Sequence, residues 1–314
     1  MTLDDVRRAA DRLRGIAHIT PILTSTQLDR MASATVWLKC ENFQRTGAFK
    51  FRGAYNAVAM RLEREPLTRT VTLSSGNHAQ GLALACRLRG LTAHIVMHHP
   101  INQLKRQAVE QYGAVMHEVP NRHEAEDLVH HLARELPATH IHAFDDPTVI
   151  AGQGTVALEL LQAVPDVDAI LAPIGGGGLL SGVSIAAHAI NPALKIYACE
   201  PAGALDAMRS LHENRIVPMP NPRTIADGLR TSLGDMTLPI LRQHLDSIFA
   251  VEEAEIVQAM RFACERLKVV IEPSSAVALA PLLRGEPAIR GKRVGVILTG
   301  GNVDLSKYFD GLIC

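Results

Sequence analysis

"AILAPIGGGGLLSGVSIAAHAI", residues 169–190, is where the fold of this chain is decided. Its first six residues are apolar without a polar alternation, as in a strand covered on both faces, and its last twelve form a helix too apolar to face water. Four glycines join the two. Such a turn lets bare backbone amides converge at the positive end of the helix, which is how a phosphate is cradled, although one or two glycines suffice for an ordinary tight turn.

The same rhythm recurs along the chain. Apolar runs ("TVWLKC", "TVTLS", "AHIVM", "AVMHEV", "KIYAC", "RVGVIL") alternate with stretches of helical period such as "NQLKRQAVEQYG" and "EAEIVQAMRFACERL". These are repeated βα units, so the expected fold is α/β, with mainly parallel sheets flanked by helices. Ligands of such sheets gather at the carboxyl ends of strands. Two more glycine-containing polar turns fall there, "SSGNHAQG" (74–81) after "VTL" and "TGGNVD" (299–304) after "VGVIL", and one shared site is expected.

The totals exclude several classes. At 314 residues the chain exceeds one ordinary domain, roughly 100 to 200 residues. Lys plus Arg and Asp plus Glu are both 32, and no basic stripe is interleaved with aromatics, which argues against nucleic acid. The amino-terminal "MTLDDVRRAADRLRG" is charged and amphipathic. No run approaches the ~18 apolar residues of a membrane span, so no membrane association and a cytoplasmic location are expected. Cys40, Cys86, Cys199, Cys264 and Cys314 are widely spaced. They are read as reduced thiols, the first four as small buried hydrophobes.

Neither a GxGxxG followed by an acid about twenty residues on nor the lysine of a P-loop accompanies the glycine run, which disfavours dinucleotides and ATP hydrolysis. In "SSGNHAQG", Ser74, Ser75, Gly76, Asn77 and His78 offer hydroxyls, an amide and backbone donors that suit a carboxylate. N-capping by Ser75 or Asn77 accounts for one of them. Lys50 lies in "TGAFKFRGA" (46–54), between two of only seven phenylalanines. Alone it reads as a solvated lysine at a helix start. In a desolvated pocket, however, a lysine amine loses basicity and becomes a nucleophile and proton carrier. A phosphate cradle and an activated lysine together point to pyridoxal phosphate.

With these residues in view, the chain resembles the fold type II pyridoxal phosphate enzymes, in the serine/threonine dehydratase and serine racemase group. The matching stretches are "ENFQRTGAFKFRGA", "SSGNHAQG", "VIAGQGT", "IGGGGLLSG", "EPAGALD", "TIADG", "IEPSSA" and "TGGNVD", in family order from about Thr20 to Asp304. The resemblance implies two domains: a large cofactor-binding one, 1–50 and 146–314, and a small substrate-gating one, 51–145, inserted in it. It implies that Lys50 holds the cofactor covalently, that Phe49 packs beside it, and that Asn77 bonds the ring 3'-oxygen. Gly175, Gly176, Gly177, Gly178 and Leu179 would hold the phosphate, and Thr299, where serine is commoner, would meet the ring nitrogen. A hydroxyl there leaves the ring a weaker electron sink than a carboxylate would, which favours prompt elimination.

"EPAGALD" resembles the family's divalent-cation site, with Glu200 and Asp206 side chains and the Ala204 carbonyl as ligands for Mg²⁺ or Ca²⁺. An acid-rich helix start explains the same carboxylates. No histidine pattern indicates zinc. The implied activity is removal of water from L-threonine, L-serine or a related 3-hydroxy amino acid, giving a 2-oxo acid and ammonia, with a homodimer as the assembly. Lys50 would take the Cα proton, and residues Ser74 to His78 would hold the substrate carboxylate. Ser75, the residue of family racemases where many dehydratases carry alanine, keeps serine racemase open as the alternative. For 3-hydroxyaspartate, the other alternative, Arg122 is a candidate partner of the second carboxylate, although a solvated helix start explains it too.

Overall fold

The computed structural model describes residues 1–305 apart from positions 102 and 137. Two sheets organise them. The larger has the strand order β1 (Ile22–Leu23), β2 (Thr35–Cys40), β10 (Arg293–Leu298), β7 (Ala169–Pro173), β8 (Lys195–Pro201) and β9 (Ser247–Val251). Only the β1–β2 pairing is antiparallel. The smaller, β5 (Val115–Val119), β4 (Thr92–His98), β3 (Arg69–Leu73) and β6 (Thr139–His140), is parallel throughout. Every residue of β7 is buried, as the unalternated apolar run requires of a strand covered on both faces.

The helices in chain order are α1 (Leu3–Leu13), α2 (Thr26–Ala32), α3 (Lys50–Leu62), α4 (Asn77–Leu88) and α5 (Gln103–Gln111). They continue with α6 (Arg122–Glu135), α7 (Pro147–Ala163), α8 (Gly178–Ile190), α9 (Asp206–Glu213) and α10 (Thr237–His244). Helix α7 is the centre of the arrangement, because its two glycines let two other helices touch its backbone. A Cβ on Gly152 would lie 2.6 Å from the Gly53 Cα of α3, and one on Gly154 would lie 2.7 Å from the Gly182 carbonyl of α8. The stretch "VIAGQGT" therefore reads as a two-sided helix contact.

A buried ion cluster fixes α3 from below. Arg52 donates Nε to Glu41 Oε2 at 2.7 Å and Nη1 to Glu159 Oε1 at 2.6 Å, while Lys39 reaches Glu159 Oε2 at 2.5 Å. Two cations face two carboxylates, and Arg52, Lys39 and Glu41 have almost no solvent contact. Burial works against the ionised form of Glu41, but the Arg52 guanidinium, the Lys39 charge and the Thr20 hydroxyl together outweigh it and hold the carboxyl below its ordinary range. Removing one member of such a cluster strands the others without a counterion.

The cysteine expectation needs one correction. Cys40, Cys86 and Cys199 are buried, with burial pushing the first two thiols up to about 12, but Cys264 is exposed. It lies in the wide turn Ala263–Leu267, where the extra residue per turn carries it off the apolar face of the preceding helix. Cys314 lies outside the described residues. No helix among the described residues is long and apolar enough to cross a membrane.

Gly152→Ala tests the helix contact. The added methyl meets backbone on α3 and cannot rotate away, so denaturant unfolding should show a loss of about 1–3 kcal/mol. Unchanged stability would mean that α3 and α7 are not in backbone contact.

Candidate active site

Lys50 is the first residue of α3. Residues two apart point to nearly opposite sides of a helix, so the side that sends Arg52 into the ion cluster sends Lys50 the other way. Its Nζ donates to the Ala143 carbonyl at 2.8 Å and lies 5.3 Å from the Phe49 ring centre. Lys50 keeps some solvent contact, yet burial draws its pKa down to about 8, against the opposing pull of Glu272.

The turn after β10 is laced to the segment before Lys50. Phe49 N–H donates to the Thr299 carbonyl at 3.0 Å, Gly301 N–H to the Gly47 carbonyl at 2.9 Å, and Ala48 bridges Gly300. Thr299, 5% exposed, is thereby held at the root of the lysine helix. Asn302 Nδ2 donates both to the Thr46 carbonyl at 2.7 Å and to Asn77 Oδ1 at 2.9 Å. Asn77 Nδ2 then donates to Glu272 Oε1 at 2.7 Å. Two of the three expected strand-end turns are thus joined by side-chain amides.

The third turn joins them through residues 143 and 144. A Cβ on Gly176 would lie 2.4 Å from the Phe144 ring, and one on Gly178 would lie 2.8 Å from the Phe144 carbonyl. Phe144 adjoins Ala143, which accepts the Lys50 hydrogen bond. Gly177 has φ +86°, a left-handed conformation that a side chain resists, and it is the N-cap of α8. Leu179 is buried in the first turn behind it.

Neither helix start at the site is closed by a side chain. Gly177 caps α8 and Gly76 caps α4, in both cases with no side-chain hydrogen bond, so N-capping by Ser75 or Asn77 does not occur. Ser74 Oγ accepts from Gly76 N–H at 3.3 Å. Ser75 is half-buried, and its hydroxyl makes no hydrogen bond among the described residues. Two helix dipoles therefore present unsatisfied N–H groups, which attract anions. The His78 ring is buried and turned to the Ile141 carbonyl at 3.3 Å, with Nδ1 lacking a partner. Burial first, then the Lys50 charge, holds it neutral, well below the ordinary histidine range. The donor set fits pyridoxal phosphate: an amine for its aldehyde, open amides for its phosphate, and a hydroxyl residue at the end of β10.

Sequence reasoning did not single out Glu272, Ala143, Phe144, Asn302 or Lys105. Glu272 lies in the quoted "IEPSSA", but nothing in that stretch names its partners. Burial lifts its carboxyl to about 7, although Lys105 and the Asn77 bond pull the other way. Lys105 of α5 is buried, donates to Asp227 Oδ2 at 2.6 Å and lies 3.9 Å from Glu272 Oε2. Arg122, by contrast, is exposed and paired with Glu126 at 2.8 Å, as a solvated helix start.

The predicted cation ligands are close in sequence and buried. Glu200 spends both oxygens on the start of α9, accepting from Ala207 N–H at 2.7 Å and Met208 N–H at 3.0 Å. Asp206 Oδ2 is buried with no partner, and burial raises Glu200 to about 8 and Asp206 to about 6. Among the described residues no group of three or more His, Cys, Asp or Glu forms a metal cluster, so a cation here would also need the Ala204 carbonyl.

The lowered Lys50 pKa gives a test on the cofactor-free protein. Addition of an amine to an aldehyde needs the neutral amine, so capture of pyridoxal phosphate, followed by visible absorbance, should speed up with pH and level off above about 8. A midpoint near the ordinary lysine value, about 10.4, would mean that the pocket does not desolvate the amine.

A family model described as "Pyridoxal-phosphate dependent enzyme" matches residues 14–300. The chain is 45% identical over 306 residues to an L-threo-3-hydroxyaspartate ammonia-lyase of Pseudomonas sp., covering 97% of this chain and 96% of that one. It is 42% identical over 311 residues to a serine racemase of Arabidopsis thaliana, covering 97% and 94%. The solved structure of maize serine racemase superposes with a TM-score of 0.96 at 41% identity, covering 99% of this chain and 96% of that one.

Proposed function

The chain belongs to the pyridoxal-phosphate dependent enzymes, and from that premise we propose that it is an ammonia-lyase acting on a 3-hydroxy amino acid, 3-hydroxyaspartate first, to release a 2-oxo acid and ammonia. One observation carries this reading: two helix starts open to anions flank a single partly buried lysine amine of lowered basicity. The 45% identity to a hydroxyaspartate ammonia-lyase supports the choice of substrate over L-threonine or L-serine.

Pyridoxal phosphate, when bound, supplies the electron sink that makes the substrate Cα–H acidic. The chain's residues do the rest. The amides of Gly175 to Leu179, at the positive end of α8, hold the phosphate without side-chain charge. Lys50 is the amine that would hold the cofactor, and as a neutral amine it would take the substrate Cα proton. Residues Ser74 to His78 hold the substrate carboxylate at the start of α4, which orients the Cα–H bond toward Lys50. Asn77 is kept in place by Glu272 and Asn302. Thr299 offers the ring nitrogen a hydroxyl. Lys105 is the cation we assign to the second carboxylate of a dicarboxylic substrate.

A second reading, racemisation of serine, rests on Ser75. Its hydroxyl spends no hydrogen bond on the described protein and sits in the carboxylate turn, where a second acid would deliver a proton. One panel separates the readings. The holoenzyme is incubated with 3-hydroxyaspartate diastereomers, L-threonine, and L- and D-serine, and 2-oxo acid and enantiomer ratio are measured together. Hydroxyaspartate should give the fastest 2-oxo acid release, Lys50→Ala none, and Lys105→Met should lose at least tenfold in kcat/KM for hydroxyaspartate and much less for serine. Enantiomer exchange without 2-oxo acid would replace the lyase reading by the racemase one.

Hard oxygen donors suit Mg²⁺ or Ca²⁺ at Glu200, the Ala204 carbonyl and Asp206, and the unpartnered Asp206 Oδ2 supports that site. Either ion should raise the Tm of the wild type and not of Asp206→Asn. An equal rise in both would move the ion elsewhere.

A further inference from the structure

On the side of α3 away from Lys50's end, four arginines from two helices converge on a cavity of about 390 Å³. That volume lies within the range of small-molecule pockets, about 300–1,000 Å³. Arg8 and Arg12 come from α1, Arg61 and Arg64 from the last turn of α3 and its exit. The two inner guanidiniums are pre-set. Arg12 is held by Glu63, at 2.8 and 2.7 Å, and by Asn56 Oδ1 at 3.2 Å, and Arg61 is held by Asp146 at 3.0 Å. The two outer ones are exposed: Arg8 pairs with Asp5 at 2.6 Å, and Arg64 makes no ion pair among the described residues, adding only its field to that on Glu63. The described lining carries four arginines and one acid, Asp5, while Glu63 and Asp146 pair with Arg12 and Arg61 from behind it and Asp145 is spent on the Met236 and Thr237 N–H groups.

The rest of the lining is mixed, with the apolar Met1, Met60, Pro147, Ala151 and Met236 beside the polar Asn56 and Thr148. Guanidinium forks match carboxylate and phosphate oxygens, and methionine adapts to an apolar body of varied shape. We propose that this cavity binds a small organic anion, a phosphomonoester or carboxylate carrying an apolar group, at a site separate from the cofactor's. Its inner wall includes Pro147 and Thr148, which follow directly on Asp146 and Asp145. Asp145 Oδ1 accepts from Met236 N–H at 3.0 Å and Thr237 N–H at 3.2 Å, and the preceding Phe144 and Ala143 touch the glycine turn and Lys50. The ligand is thus one short segment, 143–148, from the cofactor, and its binding alters the surroundings of Lys50.

The test uses the holoenzyme, in which the phosphate cradle is already filled. Phenyl phosphate, phenylacetate and inorganic phosphate are titrated separately by calorimetry, and the visible absorbance band of the cofactor is followed in parallel. The expected result is saturable binding of one or both aromatic anions, the tighter one naming the anionic head, with inorganic phosphate at least tenfold weaker. Arg8→Ala/Arg64→Ala removes two exposed side chains, so its Tm should hold while affinity falls at least tenfold. No saturable binding of either aromatic anion, or equal affinity in the double variant, overturns the site. Equal binding of inorganic phosphate overturns the apolar part of the ligand, and an unmoved cofactor band at saturation overturns the link through residues 143–148.

Discussion

Helix α7 touches two other helices backbone to backbone, and the placement of Lys50 relative to the glycine turn depends on those contacts. Gly152 lets α3 in, Gly154 and Gly182 let α8 in, and the two partners carry respectively the lysine and the start of the glycine cradle. A single methyl at any of these crossings would force Lys50 and the glycine turn before α8 apart. Dispersion between bare backbones is modest per atom, so the contacts alone would not hold α3 in one position. The buried Arg52, Glu41, Glu159 and Lys39 cluster supplies the missing specificity, because its charges are satisfied in one geometry only.

Electrostatics at the site follows from what the fold withholds. Water is largely excluded from Lys50, so its ammonium is disfavoured, and the two nearby helix starts are left without capping side chains. An uncapped, partly buried N-terminus is costly unless a ligand completes it. The same withholding appears at Glu272, which is lifted toward neutral pH by burial while it orients Asn77. These groups are poorly satisfied in the described protein alone, and the two open helix starts are of the kind that an anion completes.

Much of this was legible in the chain. The glycine run, the serine-rich turn and the β10 turn each sit at a strand end in sequence, and the parallel sheets bring those ends together. Lys50 between two phenylalanines read by itself as a solvated helix start, and only beside the glycine run and the other turns did it read as a desolvated amine. The histidine of "SSGNHAQG" was read as a candidate site residue, and its buried ring turned to Ile141 was not legible, since a carbonyl partner leaves no trace in sequence. Cys264 misled because helical period counts 3.6 residues per turn, and the wide turn that contains it does not. Glu272, Phe144 and Lys105 were missed because each acts through a neighbour more than thirty residues away in the chain.

What the amino-acid sequence determined by itself is local: which segments are strands buried on both faces, which turns expose amides, and which lysine is set among apolar groups. Those follow from side-chain polarity and glycine spacing over a few residues. Tertiary structure alone decided that Ala143 receives the Lys50 hydrogen bond, that Phe144 fills the space over the glycine turn, and that Arg122 stays in solvent while Lys105 turns inward. The physical reason is that such contacts depend on how closely whole helices approach, and that distance is set by packing across the chain rather than by neighbours along it.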